Sequence, residues 1–182
     1  ITGRFLGTTS EVYFGSTAAA GFTVLNDSTL SAIVGSGSSG SISLQTVGGA
    51  DTLAGFTFVN APIISSFTPV SAANGATVTI TGSNFTGATA VSFGATAVTS
   101  FTVIDANTIT AVIGSGASGS VSVTTLGGTA SLAAFIFIPA PVITSFSPAV
   151  ASAGESITIQ GVNFQDATTV SLGGISVTSF TL

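Results

Sequence analysis

The sequence predicts an all-β fold made of tandem β-sandwiches, with no helices of note. Two observations lead to this prediction. Short segments rich in Val, Ile, Thr and Phe alternate apolar and polar side chains at period two, which is typical of half-buried strands. The chain also overlays on itself without gaps at a shift of 79 residues, which places Ile1 on Ile80. That period is too long for a solenoid unit and suits a string of small domains.

The repeat runs through the whole chain. FGSTAAAGFTV at 14–24 falls on FGATAVTSFTV at 93–103, and a third copy ends in VSLGGISVTSFTL at 170–182. Shared positions are mostly Gly, Phe, Pro, Val, Ile and Thr, whereas the acidic residues are not shared, because Glu11 falls on Ala90 and Asp51 on Ala130. The copies therefore have packing and turns in common, and not a chemical site.

The second copy shows the elements of one sandwich in order. Prolines in VNAPIISSFTP and IPAPVITSFSP mark its junctions, since proline suits extended, edge-type segments. Alternation directs Val78 and Ile80 inward, and Phe85, Phe93 and Phe101 supply further core bulk. Turn signals rich in Gly, Asn and Asp separate the strands, and the seven short segments fit a sandwich of immunoglobulin size. The predicted strands are Ile63–Phe67, Thr77–Thr81, Ala90–Phe93, Ala97–Val103, Thr108–Ile113, Ser120–Thr125 and Ala134–Ile138.

Composition excludes several classes of function. Only 4% of residues are charged, Arg4 is the only basic residue, and the net charge is −5, so binding to nucleic acid or to an anionic membrane surface is not expected. No apolar run is long enough to predict membrane insertion. The chain has no Cys and no His, which removes disulfides, thiol and Ser-His-Asp catalysis and nearly all transition-metal sites. We therefore expect no enzyme activity, no cofactor and no metal.

The segments GSGSSG at 35–40 and GSGASG at 114–119 both fit the dinucleotide-binding pattern G-x-G-x-x-G. That pattern binds a pyrophosphate only where a strand precedes it and a helix follows it. Here Ser120–Thr125 follows with the period of a strand. The segment is therefore predicted to be a glycine-rich connection between two strands, and no nucleotide site is expected.

Three stretches carry a resemblance to a known family. PVITSFSPAVASAGESITIQGVNF at 141–164, AVSFGATAVTSFTVIDANTITAVI at 90–113 and GSVSVTTLGGTASLAAFIFI at 119–138 resemble the IPT/TIG domain. The first copy departs from the family's G-x-N-F at Arg4-Phe5-Leu6, and Gly94-Ala95 departs from the paired glycines kept at Gly173-Gly174. The resemblance implies immunoglobulin-like sandwiches without catalytic residues, arranged in tandem on secreted or surface-anchored bacterial proteins.

The repeat phase predicts three domains. Residues 1–59 form a copy lacking its first strand, 60–138 a complete copy, and 139–182 a partial copy with the first strands only. Partial sandwiches expose apolar faces and open ladder edges. We therefore expect the chain to be an excerpt of a longer array, in preference to ends that neighbouring copies complete by strand exchange.

The first functional hypothesis is a non-catalytic structural segment of an extracellular bacterial surface stalk or self-assembling filament. Low charge and the absence of Lys favour lateral association through sandwich faces or edges, because charged edges normally oppose it. Candidate assembly contacts are Ile136 and Ile138, which point opposite to the core residue Phe135, and Tyr13, the only tyrosine.

The second hypothesis is an adhesin or carbohydrate-associated binding module. Exposed aromatic and amide side chains are typical of sugar binding, but Tyr13 is the only tyrosine and the amides Gln45, Gln160 and Gln165 are scattered along the chain. Tyr13 is therefore expected to be a strand residue at a domain surface. Asp27, Asp51 and Asp105 are each expected to be turn residues rather than calcium ligands. The sequons at Asn26 and Asn84 are glycan acceptors only in a suitable host.

Overall fold

The structure is a computed structural model that describes all 182 residues. It is all-β apart from one 3-10 turn, Leu6–Thr8, which confirms the predicted fold class. The chain separates into two compact units. The first unit comprises Ile1–Pro62 with Leu126–Gly128, and the second comprises Ile63–Thr125 with Thr129–Leu182, so that the second and third copies of the repeat share the second unit.

The first copy forms six strands in two sheets. One sheet has the order β2-β1-β5-β6, and a separate hairpin pairs β3 with β4. Its small core centres on Leu6, Val12, Phe14 and Leu30. The strands are β1 (Glu11–Phe14), β2 (Thr17–Ala18), β3 (Gly21–Asn26), β4 (Thr29–Ile33), β5 (Gly40–Thr46) and β6 (Gly49–Phe56).

The second copy forms a complete two-sheet sandwich. A sheet of order β12-β13-β9-β7 faces a sheet of order β11-β10-β14-β15-β8. Antiparallel pairing joins β10 to β11 and β14, β13 to β12 and β9, and β7 to β9, whereas β8 pairs with β15 in parallel. The strands are β7 (Ile63–Thr68), β8 (Ser71–Ala73), β9 (Thr77–Ser83), β10 (Ala90–Phe93), β11 (Thr96–Ala97), β12 (Ser100–Asp105), β13 (Thr108–Val112), β14 (Gly119–Thr125) and β15 (Gly128–Ile138).

The third copy consists of two hairpins. One pairs β16 (Val142–Ser147) with β17 (Thr158–Val162), and the other pairs β18 (Ser171–Leu172) with β19 (Ile175–Ser176). These match β7 with β9 and β10 with β11 of the second copy. Phe146, the counterpart of the buried Phe67, is 58% exposed here. The strands that would cover it in a complete sandwich have no counterpart among residues 139–182.

The core of the second copy is built from the alternating residues of both sheets. Val78 and Ile80 on β9 and Val121 and Val123 on β14 are fully buried, as their period of two predicts. The ring of Phe135 on β15 lies 4.6 Å from that of Phe93, in an edge-to-face arrangement. The first copy repeats this contact, with 4.9 Å between the ring centroids of Phe14 and Phe56.

The predicted strand Ala97–Val103 is two strands in the structure, because the chain changes sheets there. The backbone N–H of Val98 donates to the carbonyl of Val91 in one sheet, at 3.2 Å. The next N–H, that of Thr99, donates to the carbonyl of Val112 in the other sheet, at 2.9 Å. The alternation breaks at this crossing, because Thr99 and Ser100 are both exposed and the core-packed Val98 and Phe101 lie three residues apart. A single strand over 97–103 was therefore a wrong prediction.

The glycine-rich segment 114–119 joins β13 to β14, as the sequence predicts. Its middle glycine, Gly116, lies against the ring of Phe137, because a Cβ there would come within 2.8 Å of Cδ2. Gly37 of the first copy lies against Phe58 in the same way, at 2.6 Å. Close packing against a phenylalanine therefore explains why the pattern G-x-G-x-x-G occurs twice.

The first copy departs from G-x-N-F in sequence but keeps the backbone geometry that this motif has in the other two copies. Asn84 and Asn163 have left-handed backbone angles, with φ near 60°, and Phe5 takes the same conformation at φ 58°. Asparagine adopts this region readily and phenylalanine does so rarely. Leu6 replaces Phe85 as the buried side chain, while Phe5 is 77% exposed. The fold thus tolerates the substitution without losing the buried position.

The turn between β10 and β11 carries a strain that glycine would remove. Ala95 has φ +65°, whereas its counterpart in the third copy, Gly174, has φ +84°. We expect Ala95→Gly to raise the free energy of unfolding of the second copy by about 0.5–1 kcal/mol, because alanine disfavours the left-handed region. Urea unfolding followed by NMR signals of that copy measures the change. The same replacement at Ala97, outside that region, should lower stability; stabilisation at both positions would contradict the strain explanation.

Candidate functional site

The predicted assembly contacts Ile136 and Ile138 lie on β15, at its parallel pairing with β8. Ile136 is opposite Ser71, and its N–H donates to the carbonyl of Val70 at 2.9 Å. Ile136 is 56% exposed, whereas Ile138 is partly buried. Val70, the residue before β8, is also exposed. The predicted alternation with the buried Phe135 is present, which leaves Ile136 accessible on the outside of the sheet.

The third candidate, Tyr13, lies on β1 in the first unit, on the outer face of the β2-β1-β5-β6 sheet. Its neighbours along β1, Val12 and Phe14, are buried in the core, so Tyr13 points away from it. Tyr13 is partly exposed, and its hydroxyl donates to Oε2 of Glu11 at 3.3 Å. It is therefore held beside a carboxylate on the surface.

Strand register brings Gln45 onto the same face. Glu11 lies opposite Gln45 on β5, and Tyr13 lies opposite Ser43. On its other side Tyr13 faces Ala18 of β2. Paired residues on neighbouring antiparallel strands share a face, so Tyr13, Glu11 and Gln45 form one group, which we call the outer-face cluster. The sequence did not predict this group, because β1 and β5 are far apart in the chain.

The second copy presents the same face without the same chemistry. Ser92 on β10 occupies the position of Tyr13, opposite Ser122, and Ala90 occupies the position of Glu11, opposite Thr124. Ala97 takes the place of Ala18. The backbone and the small neighbours are kept, and only the aromatic ring, the carboxylate and the amide are replaced. A difference between the two copies is thus the one sequence signal that marks the cluster.

Of the three aspartates considered as calcium ligands, Asp105 and Asp51 make local hydrogen bonds and Asp27 makes one to a residue 20 positions away. Asp51 lies within strand β6 and not in a turn, so its predicted turn position was wrong. Asp105 accepts from the N–H of Asn107 at 2.7 Å, as an Asx turn does, and Asp51 accepts from the N–H of Thr52 at 2.8 Å. Asp27 accepts from the N–H of Gly7 at 3.2 Å. Three acidic, His or Cys side chains come together nowhere in the chain in a way that would hold a metal ion.

A surface depression of about 360 Å³ lies in the third copy along residues 168–170 and 176–180. Counterparts of its lining residues pack into the core of the second copy, since Val170 corresponds to the buried Val91 and Phe180 to the core-packed Phe101. In the third copy Val170 is only partly buried and Phe180 is 38% exposed, so the depression is lined by residues whose counterparts pack into the core of the second copy. Helices of the length and apolarity needed to cross a membrane do not occur in this structure.

Comparison with known families gives a match to the IPT/TIG domain at residues 62–135 and 141–182. The match covers the second copy and the third, and the first copy is related to them by the internal repeat. No curated protein matches the chain.

Solved structures give likenesses at low identity. SGBP-B from a complex xyloglucan utilization locus in Bacteroides uniformis is 23% identical over 76% of this chain and 44% of its own, with a TM-score of 0.43. The surface glycan-binding protein PbSGBP-B from Prevotella bryantii is 16% identical over 73% and 35%, with a TM-score of 0.39. SGBP-B from the Bacteroides ovatus mixed-linkage glucan utilization locus, in complex with a mixed-linkage heptasaccharide, is 17% identical over 78% and 42%, with a TM-score of 0.34. The chain spans less than half the length of these proteins.

Proposed function

Since the chain belongs to the IPT/TIG domain family, we propose that it is a non-catalytic structural segment of an extracellular bacterial surface protein, where it forms part of a stalk or a self-assembling filament. The proposal rests on the kind of residue that the copies share, which is core residues and not chemically reactive ones. Core positions such as Val12 and Val91, or Phe14 and Phe93, are buried in both of the first two copies. Side chains able to perform chemistry, such as Glu11 and Asp51, change from copy to copy.

Low charge supports association between chains. Surfaces of soluble domains usually carry about a quarter to a third charged residues, which oppose the pairing of sheet edges and faces. In this chain only 4% of residues are charged. The apolar side chain of Ile136 is exposed where β15 pairs with β8. We therefore assign the lateral contact to Ile136 and Ile138 on β15.

We expect Ile136→Asp to abolish self-association while the fold persists, because a carboxylate buried in an apolar contact loses its hydration without gaining a partner. Sedimentation velocity of the full chain and negative-stain electron microscopy measure assembly, and circular dichroism measures the fold. Thr57 occupies the position of Ile136 in the first copy, so Thr57→Asp is the matched control and should leave assembly unchanged.

Filaments with an axial repeat of a whole number of domains would support the filament form of the proposal. Unassociated beaded rods would restrict it to a stalk and remove Ile136 as a contact. Compact particles that are neither rods nor filaments would overturn the structural function as a whole.

A second candidate function is the adhesin or carbohydrate-associated module that the sequence leaves open. The outer-face cluster favours it, because an accessible aromatic ring beside a carboxylate and an amide is the combination that sugar binding requires. The cluster lies in the first copy alone, so this candidate concerns one domain and is compatible with a structural function of the array.

A further inference from the structure

We propose that the outer-face cluster of Tyr13, Glu11 and Gln45 is a binding site for a neutral oligosaccharide. The inference rests on the second candidate function and is independent of the stalk. The site lies on the β2-β1-β5-β6 sheet of the first unit, opposite to the side that carries the core.

The ring of Tyr13 supplies the surface for a sugar. One face of a pyranose consists of C–H groups, which carry a slight positive charge and are attracted to the negative face of an aromatic ring. Along the row of residues that crosses the sheet, Tyr13 lies between Ala18 and Ser43. Both neighbours are small and leave part of Tyr13 exposed, while the rest of the residue is buried.

Polar groups beside the ring match the hydroxyls of a sugar. The Glu11 carboxylate is exposed and accepts hydrogen bonds, and it already holds the Tyr13 hydroxyl at 3.3 Å. Gln45 lies opposite Glu11, and its amide offers donors and an acceptor; Nε2 donates to the carbonyl of Thr46 at 2.9 Å. Ser43 adds a hydroxyl opposite Tyr13. Acceptors and donors therefore flank a partly exposed aromatic ring on the outer face of the sheet.

The charge of the face selects neutral sugars. Glu11 is its ionised group, and the only basic residue of the chain, Arg4, is not in these strands. An acidic sugar would meet a like charge with no cation to compensate it. We therefore expect uronic and sialic acids to be excluded.

The test uses a property of the composition. Tyr13 is the only tyrosine and the chain has no tryptophan, so intrinsic fluorescence of the full chain reports on this side chain alone. We expect cellohexaose, mannohexaose or chitohexaose to change the emission in a saturable way, whereas trigalacturonic acid does not. Isothermal titration calorimetry should give the same affinity.

Matched variants come from the second copy. Glu11→Ala and Gln45→Thr each install the residue found at the equivalent position, and each should weaken binding several-fold while the fluorophore stays. Tyr13→Ser, measured by calorimetry, should weaken binding about tenfold or more, which corresponds to about 1.4 kcal/mol, because the stacking surface is lost. Circular dichroism checks that every variant is folded.

A gain of binding is the stronger arm of the test. In the Tyr13→Ser background, Ala90→Glu, Ser92→Tyr and Thr124→Gln together transfer the cluster to β10 and β14 and should restore binding. Failure of this transfer would overturn the three side chains as the recognition set. No emission change with any of the three neutral hexasaccharides, or unchanged affinity in Tyr13→Ser, would overturn the site itself. A chain that still forms rods in that case keeps its structural function.

Discussion

Replacing Phe85 with alanine is expected to lower the free energy of unfolding of the second copy by about 3–5 kcal/mol, because a buried aromatic side chain is lost and a cavity remains. Phe85 is 0% exposed, and its N–H donates to the carbonyl of Ala106 at 2.9 Å. The residues before and after Phe85 fix its position in the loop that follows β9. The left-handed Asn84 precedes it, and Ala88 donates back to its carbonyl at 3.0 Å. The surrounding structure therefore has little freedom to collapse into the cavity.

Urea unfolding monitored by amide NMR intensities of β9, β10 and β14 measures this loss, since a chain of several domains does not unfold in one two-state step. Phe146→Ala serves as a control for an exposed ring, and the amide signals of β16 and β17 follow its effect. It should cost the third copy less than about 1 kcal/mol. A similar small loss for Phe85→Ala would show that the loop relaxes around the cavity.

Gly82→Ala is the second change with a large expected effect, about 2–4 kcal/mol of destabilisation of the second copy. A Cβ at Gly82 would overlap the carbonyl oxygen of Ile63 on the neighbouring strand and lie 2.6 Å from Cζ of Phe85. The obstacle is backbone, at the irregularity in the β7–β9 pairing between Ile64 and Ser66. Relief therefore requires that strands move apart.

The first copy provides the control for this prediction. Gly3 holds the equivalent position, but no counterpart of β7 lies beside it, and a Cβ would meet only the side chain of Leu6, at 3.3 Å. Gly3→Ala should therefore cost less than about 1 kcal/mol in the same NMR-monitored unfolding experiment. Equal losses at both positions would indicate that the general conformational preferences of glycine, and not a clash with the carbonyl of Ile63, explain the need for glycine at position 82.

Much of the fold follows from the sequence because the signals are local. Alternation at Thr77–Thr81 and Ser120–Thr125 marks strands that the structure contains, with bounds shifted by one or two residues. The strand β8 was not predicted, since Ser71–Ala73 has three small residues and no apolar–polar alternation. It is a strand because it pairs in parallel with β15. Tertiary pairing, and not local preference, makes it a strand.

The candidate site was less accessible to prediction. Alternation with the core residue Phe135 predicts that Ile136 is exposed, and Ile136 is exposed in the structure. The outer-face cluster depends on the register of β1 against β5, which joins residues 34 positions apart, as Glu11 and Gln45 are. No local pattern encodes that register. Comparison of the copies contains the signal, because Tyr13, Glu11 and Gln45 all differ from their counterparts on one face.

Placement of the cluster on the solvent side of a duplicated sheet has an evolutionary consequence. Mutations at such positions leave core packing untouched, so one copy is free to acquire a ligand while its siblings preserve the scaffold. Gap-free repeats also let unequal recombination add or remove whole copies in frame without altering any junction. If the cluster binds the proposed ligand, array length and binding specificity are therefore traits that selection can change separately.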